Sequence, residues 1–518
     1  MSKSTVEFKK NQRGAAIYSD THADYVLPDY LGEVRKILFV GAEARPAGKY
    51  TADGSAEASG IVAYDVVYLD GEGKLSSAAF TSDYDVSIPL PGEGAEATNL
   101  ATRVANFSVR LGGPRKISAK ATVAVSAVAS YTETVAPTGS AFSEEHEPEL
   151  LMRDVNILTA TESQSVEREL AETVCRLDGS IADEVSVIYS RADAECESVA
   201  VSDGEATVKG TLSVLAIIKN EDSEPYPVLH KIPFSESVAY PEASGGELFP
   251  SAVVTSLTTA VTPDESGCEV VANAIVDISL GTLGNESVTV TADAYLCECE
   301  TENGYGELSY TELIAATKER VNHTAELSRE AEGLRGLDEV LCLVGTARTD
   351  TVAADGRELT VTGTVKYTGA ASCVEESGER SFMPLRLEVP FDERITLPSP
   401  VGEAAKIDVT VSVAHPTASL DAERIYPSSA LDMTVVITED KSMRILSSSE
   451  AREDLPFERR PATVTVYYPA EGDTLFSVAK HYHTRAARLA ADNLLTEAVV
   501  KGDGESGGLS GVSKLIIH

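Results

Sequence analysis

Two short clusters in this chain carry residue types that bind metal ions. Cys297 and Cys299 form a C-x-C pair, and His481 and His483 form an H-x-H pair. Two residues apart on a strand, the two thiols would face the same side and could act together. A structural zinc site needs four ligands, and neither pair has further ligands at a useful spacing. The sequence therefore predicts buried cysteines, surface histidines and no metal centre.

A glycine-rich stretch, GDGESG at 502–507, fits the G-x-G-x-x-G fingerprint of dinucleotide-binding loops. That fingerprint works only between a buried strand and a helix. Neither flanks the stretch here, and Asp503 and Glu505 would repel phosphate, so a flexible loop is predicted. The chain also contains no G-x-S-x-G, H-E-x-x-H or P-loop motif. The sequence thus predicts no catalytic residue and no cofactor; the alternative is an enzyme with a site of an unrecognised kind.

Composition bounds the class of protein and its partners. A chain of 518 residues with 43% apolar residues is long enough for several domains. It has no Trp and only 6% aromatic residues, so aliphatic side chains must build the cores. The net charge of −39 repels nucleic acid and anionic lipid. No apolar run approaches the 18 or so residues of a membrane span. We therefore expect no nucleic-acid partner and no membrane span.

Two further features concern the compartment. The first residues, MSKSTVEFKKNQRG, lack the apolar region of a signal peptide. The seven cysteines are an odd number, and none lies in the first 174 or the last 145 residues. That distribution makes a poor disulfide framework and fits a reducing compartment. The expectation is a cytoplasmic protein.

The elements that would position any site repeat three times along the chain. Four short patterns recur in the same order, and the second aligns Gly60, Gly210 and Gly363 at spacings of 150 and 153 residues. The third pattern, SIPL in the first copy and IPF in the second, aligns Pro89 with Pro233, and with Pro390 in the third copy. A fixed period marks a repeat architecture. Because this period far exceeds that of a solenoid repeat, each copy is predicted to be a domain.

The repeated patterns are rich in Val, Ile and Thr, alternate in polarity, and end at Gly, Asp or Pro, as strands do. The predicted fold is mainly β: three tandem mainly-β repeat domains followed by a small C-terminal βααβ module. Charged segments with proline, at 140–149 and 447–462, are predicted linkers. The predicted domains span 8–140, 148–302, 308–445 and 462–518.

The last of these segments is sharply patterned. A strand at 462–468 leads into a turn in which Gly472 can take positive φ. Asp473 or Thr474 then caps a helix whose apolar face has helical spacing. That face comprises Leu475, Val478, Ala479 and Tyr482. Thr484 is predicted to cap a second helix, and Asn493 suits a left-handed position at its end. A closing strand at 513–518 completes the β-α-α-β order.

The pattern of this segment resembles the LysM family. The matching positions are Tyr467, Gly472, Asp473, Thr474, Leu475, Val478, Ala479, Tyr482, Leu489, Asn493, Leu515 and Ile516. The resemblance implies a module that binds N-acetylglucosamine polymers in a shallow groove. By the same resemblance, the groove lies between loops 472–474 and 493–496. The following loop, up to 511, is longer than is usual in the family.

Most of these positions also have a structural role, which is the commoner explanation. Gly472 suits the turn, Asp473 the cap, and Leu489 a small core. The residues predicted to contact a ligand or partner are those of the two loops and of the second helix. They are Gly472, Asp473, Thr474, Arg485, Arg488, Asn493, Leu494 and Leu495. The module has five Lys/Arg and six Asp/Glu, a net charge of −1, so it repels an anionic partner far less than the rest of the chain does.

Three tandem mainly-β units followed by one LysM module resemble the SPOCS-domain proteins of anaerobic spore-formers. The SPOCS pattern is diffuse, a G-x-L-x-V stretch followed by I-P-F; 210–234 carries it best, and the first unit carries it least. The resemblance implies a mother-cell protein of spore-coat assembly at the forespore surface. Its LysM module would grip a coat-base ATPase of the SpoIVA type rather than wall sugar.

Two other functions compete with this interpretation. One is a cell-wall protein that binds the N-acetylglucosamine-containing glycan of peptidoglycan. A single LysM copy would lack the avidity that tandem copies provide, and a protein that is not exported would not meet the wall. The other is a cell-wall hydrolase, which would need a catalytic domain that the repeats do not offer.

Overall fold

The computed structural model describes most of the chain. The described residues are 6–13, 16–52, 54–90, 95–135, 147–162, 165–220, 224–240, 246–375, 378–457, 464–495, 509 and 512–517. Within them the fold is mainly β, with two short α-helices near the end of the chain. The strands form pairs of sheets in three successive parts, called here the first, second and third units.

The first unit contains seven strands in two antiparallel sheets. Strands β3, β4 and β5 form a meander, and β7 is flanked by β6 on one side and by β1 and β2 on the other. The strands are β1 (Val6–Arg13), β2 (Ile17–Val26), β3 (Val34–Ala52), β4 (Ser55–Asp70), β5 (Leu75–Pro89), β6 (Glu96–Gly113) and β7 (Lys116–Val135).

The second unit repeats this plan. Strands β10, β11 and β12 form the meander, and β14 is flanked by β13 on one side and by β8 and β9 on the other. The strands are β8 (Glu149–Glu162), β9 (Val166–Asp178), β10 (Val185–Ser202), β11 (Glu205–Asn220), β12 (Tyr226–Ala239), β13 (Glu247–Asp264) and β14 (Gly267–Tyr295).

The third unit has the same order again, with its longest strands at the sheet centre and edge. Strands β17, β18 and β19 form the meander, and β21 is flanked by β20 on one side and by β15 and β16 on the other. The strands are β15 (Cys299–Thr324), β16 (Leu327–Ser328), β17 (Leu337–Asp355), β18 (Glu358–Val374), β19 (Arg380–Thr396), β20 (Lys406–Leu420) and β21 (Arg424–Pro456).

Within each unit the two sheets face each other across an aliphatic core. In the second unit the buried faces of β11 and β14 meet there, with Val208, Leu212, Val276 and Ile278 fully out of water. Comparable clusters fill the first and third units. The alternation of buried and exposed residues along these strands is the period-2 pattern of a sheet with one covered face.

The middle strand of each meander departs from that alternation in its second half. In β11, residues from Leu212 onward are buried almost without interruption. The reason is that Ile218 faces the core of its own unit, whereas Ile217 faces the other two units. A strand that is covered on both faces reads as a continuous apolar run.

A central cluster joins the three units. It contains equivalent residues from all three meanders, separated by the same 150 and 153 residues as the repeated glycines. The three sets are Leu38, Ile188 and Leu341; Phe39, Tyr189 and Cys342; and Val67, Ile217 and Ala370. The rings of Phe39 and Tyr189 meet edge to face at 5.9 Å.

The strands around this cluster close a ring. Strand β10 contacts β5 of the preceding unit, β17 contacts β11 and β12, and β3 contacts β18 and β19 of the third unit. The first strand of each meander therefore packs on the second or third strand of the preceding unit. The first unit packs in the same way on the third, which closes the ring.

The repeated glycines have a common structural reason. Gly60, Gly210 and Gly363 stand opposite Tyr84, Phe234 and Phe391 on the neighbouring strand. A Cβ at any of them would collide with that aromatic ring and with a carbonyl oxygen on the other side. A ring laid over a strand glycine supplies the packing that the glycine lacks.

The structure corrects the alignment of the third sequence pattern. Pro233 and Pro390 stand opposite Thr211 and Thr364, each one residue after the glycine. Pro89 stands opposite Ser55, five residues before Gly60. The first-unit counterpart of the two other prolines is therefore Asp83, opposite Ile61. The aromatic residue, not the proline, is the shared feature.

The third unit also extends beyond its predicted ends. Strand β15 begins at Cys299 and pairs with β21, which continues to Pro456. Much of the predicted linker at 447–462 is therefore strand. Cys297 and Cys299 do not share a strand face either: the chain bends after Tyr295, and the two side chains join different apolar clusters.

We predict that Gly210→Ala destabilises the protein, whereas Gly71→Ala does not. The added methyl group at position 210 has no space between the Glu195 carbonyl and the Phe234 ring, whereas the one at position 71 meets nothing. Overpacking of this kind costs about 1–3 kcal/mol. Urea midpoints of the two variants and the parent check this, and equal midpoints would contradict the account.

A second prediction uses Cys342 as a reporter of the central cluster. None of the seven cysteines, all in the described part of the chain, forms a disulfide. The denatured protein should thus titrate seven thiols without reductant. In the native protein, burial raises the pKa of the Cys342 thiol to about 12, so this thiol should resist alkylation.

Two neighbouring residues provide the test and its control. Ile217→Ala and Ile218→Ala should each cost roughly 2–5 kcal/mol. Only Ile217 belongs to the cluster around Cys342, whereas Ile218 lies in the core of the second unit. Peptide mapping after alkylation should show faster labelling of Cys342 in Ile217→Ala alone. Equal labelling in both variants would argue against the cluster.

Candidate functional site

After the third unit, the chain forms a small terminal module. Its elements are β22 (Thr465–Tyr467), α1 (Leu475–His481), α2 (Ala486–Asp492) and β23 (Leu515–Ile517). The two strands pair antiparallel, with Val466 opposite Ile516. The buried residues Leu475, Val478, Leu489 and Leu515 form its core. The GDGESG stretch at 502–507 and Thr496 lie outside the described residues.

The first loop is fixed by hydrogen bonds within the module. Gly472 has φ 91°. The cap of α1 is Thr474, whose hydroxyl accepts from the Ser477 N–H at 3.0 Å in a capping box. Asp473 instead accepts from the Tyr467 hydroxyl at 2.6 Å and from the Ala470 N–H at 2.7 Å. These bonds lower the pKa of Asp473. Their contribution to stability is present at neutral pH and is lost as the pH falls through that lowered pKa.

The second helix departs from the predicted caps. Its N-cap is Arg485, without a side-chain hydrogen bond. Thr484 is buried instead. At the other end, Asn493 has φ −105° and Leu494 takes the left-handed conformation at φ 51°. The Asn493 amide accepts from the Ile516 N–H and donates to the carbonyls of Leu489 and Ile516, so it ties the second loop to β23.

The module is seated on the end of the second unit. The Tyr295 ring meets the Phe476 ring edge to face at 5.1 Å, and the Tyr295 hydroxyl donates to the Thr484 carbonyl at 2.7 Å. The Lys480 ammonium contacts both carboxylate oxygens of Asp293 at 2.6 and 2.7 Å. This seat explains why Thr484 is buried and does not cap a helix.

The seat also overturns the prediction of two surface histidines. His483 is buried, with Nδ1 3.1 Å from the Leu296 carbonyl and Nε2 3.1 Å from Glu300. The Phe457 ring stacks on it at 4.4 Å. His481 is exposed, as predicted. Among the described residues, no group of three or more potential ligands could hold a metal ion.

The two candidate arginines have different roles. Arg485 contacts Glu147 and lies 3.9 Å from Glu149. Glu149 is the first residue of β8, so these ion pairs connect the module to the second unit. Arg488 is exposed, and its partner at 3.6 Å is Asp492 within the same helix. Arg488 is thus the candidate arginine that faces solvent without contacting the body.

The surface at the loop end of the module is apolar. Leu494 is 91% exposed, whereas Leu495 is partly buried against the module core. Two residues that were not among the candidates, Val466 and Tyr468, are 48% and 70% exposed. Alternation along β22 could have revealed them, because Tyr467 between them faces the core. Leu494 follows Asn493, which is bonded to Ile516, the partner of Val466.

Comparison with known proteins adds no relative to this picture. No protein-family model matches the chain, and no curated protein or solved structure shows a significant match. In the described part of the chain, both helices are only seven residues long, and neither could cross a membrane.

The seat generates a prediction for Tyr295. Tyr295→Ala removes both the ring contact with Phe476 and the hydrogen bond to Thr484, and should destabilise the module by about 3–5 kcal/mol. Hydrogen exchange of α1 should therefore accelerate, with little change in the strands of the first unit. Tyr18→Ala, at a tyrosine 60% exposed in β2, is the matched control. Unchanged exchange in α1 would show that the module does not depend on the seat.

Proposed function

We propose that this chain is a non-enzymatic scaffold protein of spore-coat morphogenesis, with three SPOCS-like repeats and a C-terminal LysM module. The module docks onto a coat-base protein, an ATPase of the SpoIVA type, at the forespore surface. In architecture the chain is similar to SipL, the SpoIVA-interacting protein L. The order β-α-α-β, the capping box at Thr474 and the recurring strand order of the three units support this proposal.

One observation favours a protein over a glycan as the ligand. The described polar side chains of the two loops already bond within the module, Asp473 to Tyr467 and Asn493 to Ile516. A polyhydroxyl ligand needs such groups to be available. Among the described loop residues, the large apolar side chain exposed to solvent is that of Leu494. Burial of an exposed leucine is worth about 1.5–3 kcal/mol, so an apolar protein surface gains more here than a sugar chain does.

The alternative ligand is peptidoglycan, through its N-acetylglucosamine units. The observation in its favour is the exposed ring of Tyr468, four residues before Gly472, since an aromatic face packs well against the apolar face of a sugar. The two ligands differ in how much their binding depends on burial of the Leu494 side chain, and a substitution at this position can distinguish them.

The test compares Leu494→Ser with Leu229→Ser in the full-length protein. Leu229 is 55% exposed in β12, so the control makes the same change at an exposed leucine outside the module. With purified coat-base ATPase immobilised, Leu494→Ser should weaken binding about tenfold or more, equivalent to about 1.4 kcal/mol, and Leu229→Ser should not. Arg488→Glu should weaken binding further, because it reverses an exposed charge beside the loops.

Co-sedimentation with insoluble peptidoglycan tests the alternative ligand. We expect little of the full-length protein to sediment with it, and a fluorescent fusion to form a shell around the forespore. Retention on peptidoglycan that is unaffected by Leu494→Ser, together with no binding to the ATPase, would favour the wall-binding alternative.

A further inference from the structure

A groove of about 840 Å³ runs between the second and third units, away from the terminal module. Its walls are the bulged part of β10, the start of β13, and β15 around Lys318. At its inner end the charges neutralise one another. Arg320 bonds Asp432 at 2.6 Å and contacts Glu195, and His415 also contacts Glu195. Because these groups are paired within the protein, the other groups of the groove determine which ligand it attracts.

The wall formed by β15 is a free sheet edge. Among the described strands, β15 pairs only with β21. At Leu313 the opposite edge is already occupied by a side chain: the Asn285 amide donates to the Leu313 carbonyl at 2.8 Å and accepts from the Leu313 N–H at 2.9 Å. An amide in this position reproduces the two bonds of a neighbouring strand. The next carbonyl, that of Ile314, accepts from the Ser399 hydroxyl at 3.0 Å. The edge is therefore open to a further strand only after Ile314.

Beyond Ile314 the edge continues to Lys318 and Arg320, which line the groove. At about 3.3 Å per residue, the six residues of this stretch are roughly 20 Å long. Extended peptides bind such edges through main-chain hydrogen bonds, and side chains alternate toward the walls. The groove thus has the length and the bonding groups for an added strand of about six residues.

The charges of the groove indicate which peptide fits. Glu197 and Glu247 are exposed on its walls. Glu197 accepts from the Thr211 hydroxyl at 2.6 Å, but neither carboxylate has a Lys or Arg nitrogen within 4.0 Å in the described part of the chain. Lys318 is the corresponding cation without a carboxylate partner among those residues. Two carboxylates against one ammonium, within a chain of net charge −39, attract a cationic ligand. A second copy of this chain, with the same charge, is repelled.

We propose that this groove binds an extended, lysine- or arginine-containing peptide segment of a partner protein, which adds a strand to the free edge of β15. Main-chain bonds to β15 hold the peptide, and its basic side chains meet Glu197 and Glu247. The site is independent of the terminal module, so one chain engages two partners, or two parts of one partner, at once.

The test uses the full-length protein and three fluorescent octapeptides. The first alternates lysine and valine, the second has glutamate in place of lysine, and the third is the lysine peptide with alternate backbone nitrogens methylated. Fluorescence anisotropy should show binding of the first alone, weakened by added salt. Hydrogen exchange should show new protection in 315–320. Equal binding of the methylated peptide, binding of the glutamate peptide instead, or no binding at all would overturn the proposal.

Charge variants at the walls localise the site. Glu247→Lys should weaken binding of the lysine peptide about tenfold, whereas Lys318→Glu should strengthen it. The matched control is Glu265→Lys, which makes the same change at an exposed residue between β13 and β14, at the other end of β13. Equal weakening by Glu247→Lys and Glu265→Lys would mean that only the overall charge acts, and would refute the groove as the site.

Discussion

In each three-stranded sheet, the second half of the middle strand is apolar on both faces. Its outer face is shielded from water by packing against the other two units. Phe39, Tyr189 and Cys342 meet for this reason, although they lie in three different parts of the chain. Hydrophobic burial has no direction of its own. Here the arrangement of the units is determined because equivalent apolar residues of the three units must all pack into one central cluster. The closed ring of contacts between successive units follows from this constraint.

The ring also determines where the terminal module lies. The sheets of the second and third units continue past the ring in their longest strands, and Val290 and Leu308 pack between them in a separate apolar cluster. Tyr295 is the last residue of β14 and Cys299 the first of β15, so the turn between these strands forms the tip. The module rests on that tip through Tyr295, Asp293 and Leu296. Its exposed loops are therefore presented by a supported structure and do not depend on a flexible tether.

Local pattern was sufficient for some features and not for others. The mainly-β fold followed from alternation and composition, and the glycine spacing of 150 and 153 matches that of the central cluster. The alignment of Pro89 was wrong because strand register depends on the aromatic partner of the glycine, which the proline only neighbours. The domain limits in the third unit were too short because the charged segment after 446 resembles a linker and yet pairs with β15.

In the module, the positive φ of Gly472 and the capping box of Thr474 are local features that could be anticipated. The burial of His483 and Thr484 could not, because their partners Leu296, Glu300 and Tyr295 lie more than 180 residues earlier in the chain. The left-handed residue was misplaced by one position, since Asn493 uses its side chain to hold β23 and the turn passes to Leu494. Such roles depend on which long-range contact claims a side chain, and local sequence does not carry that information.

The ring of three units within one chain has a consequence for valency. A trimer of three identical subunits around the same centre would carry three identical terminal modules, one for each subunit. In a single chain, each unit is free to differ, and in the described part of the chain it is the long strands of the second and third units, β14, β15 and β21, that support a module. The result is a symmetric core with one head at one point of its rim. A molecule built in this way is polar: the module marks one side of the ring, and the three units are not interchangeable.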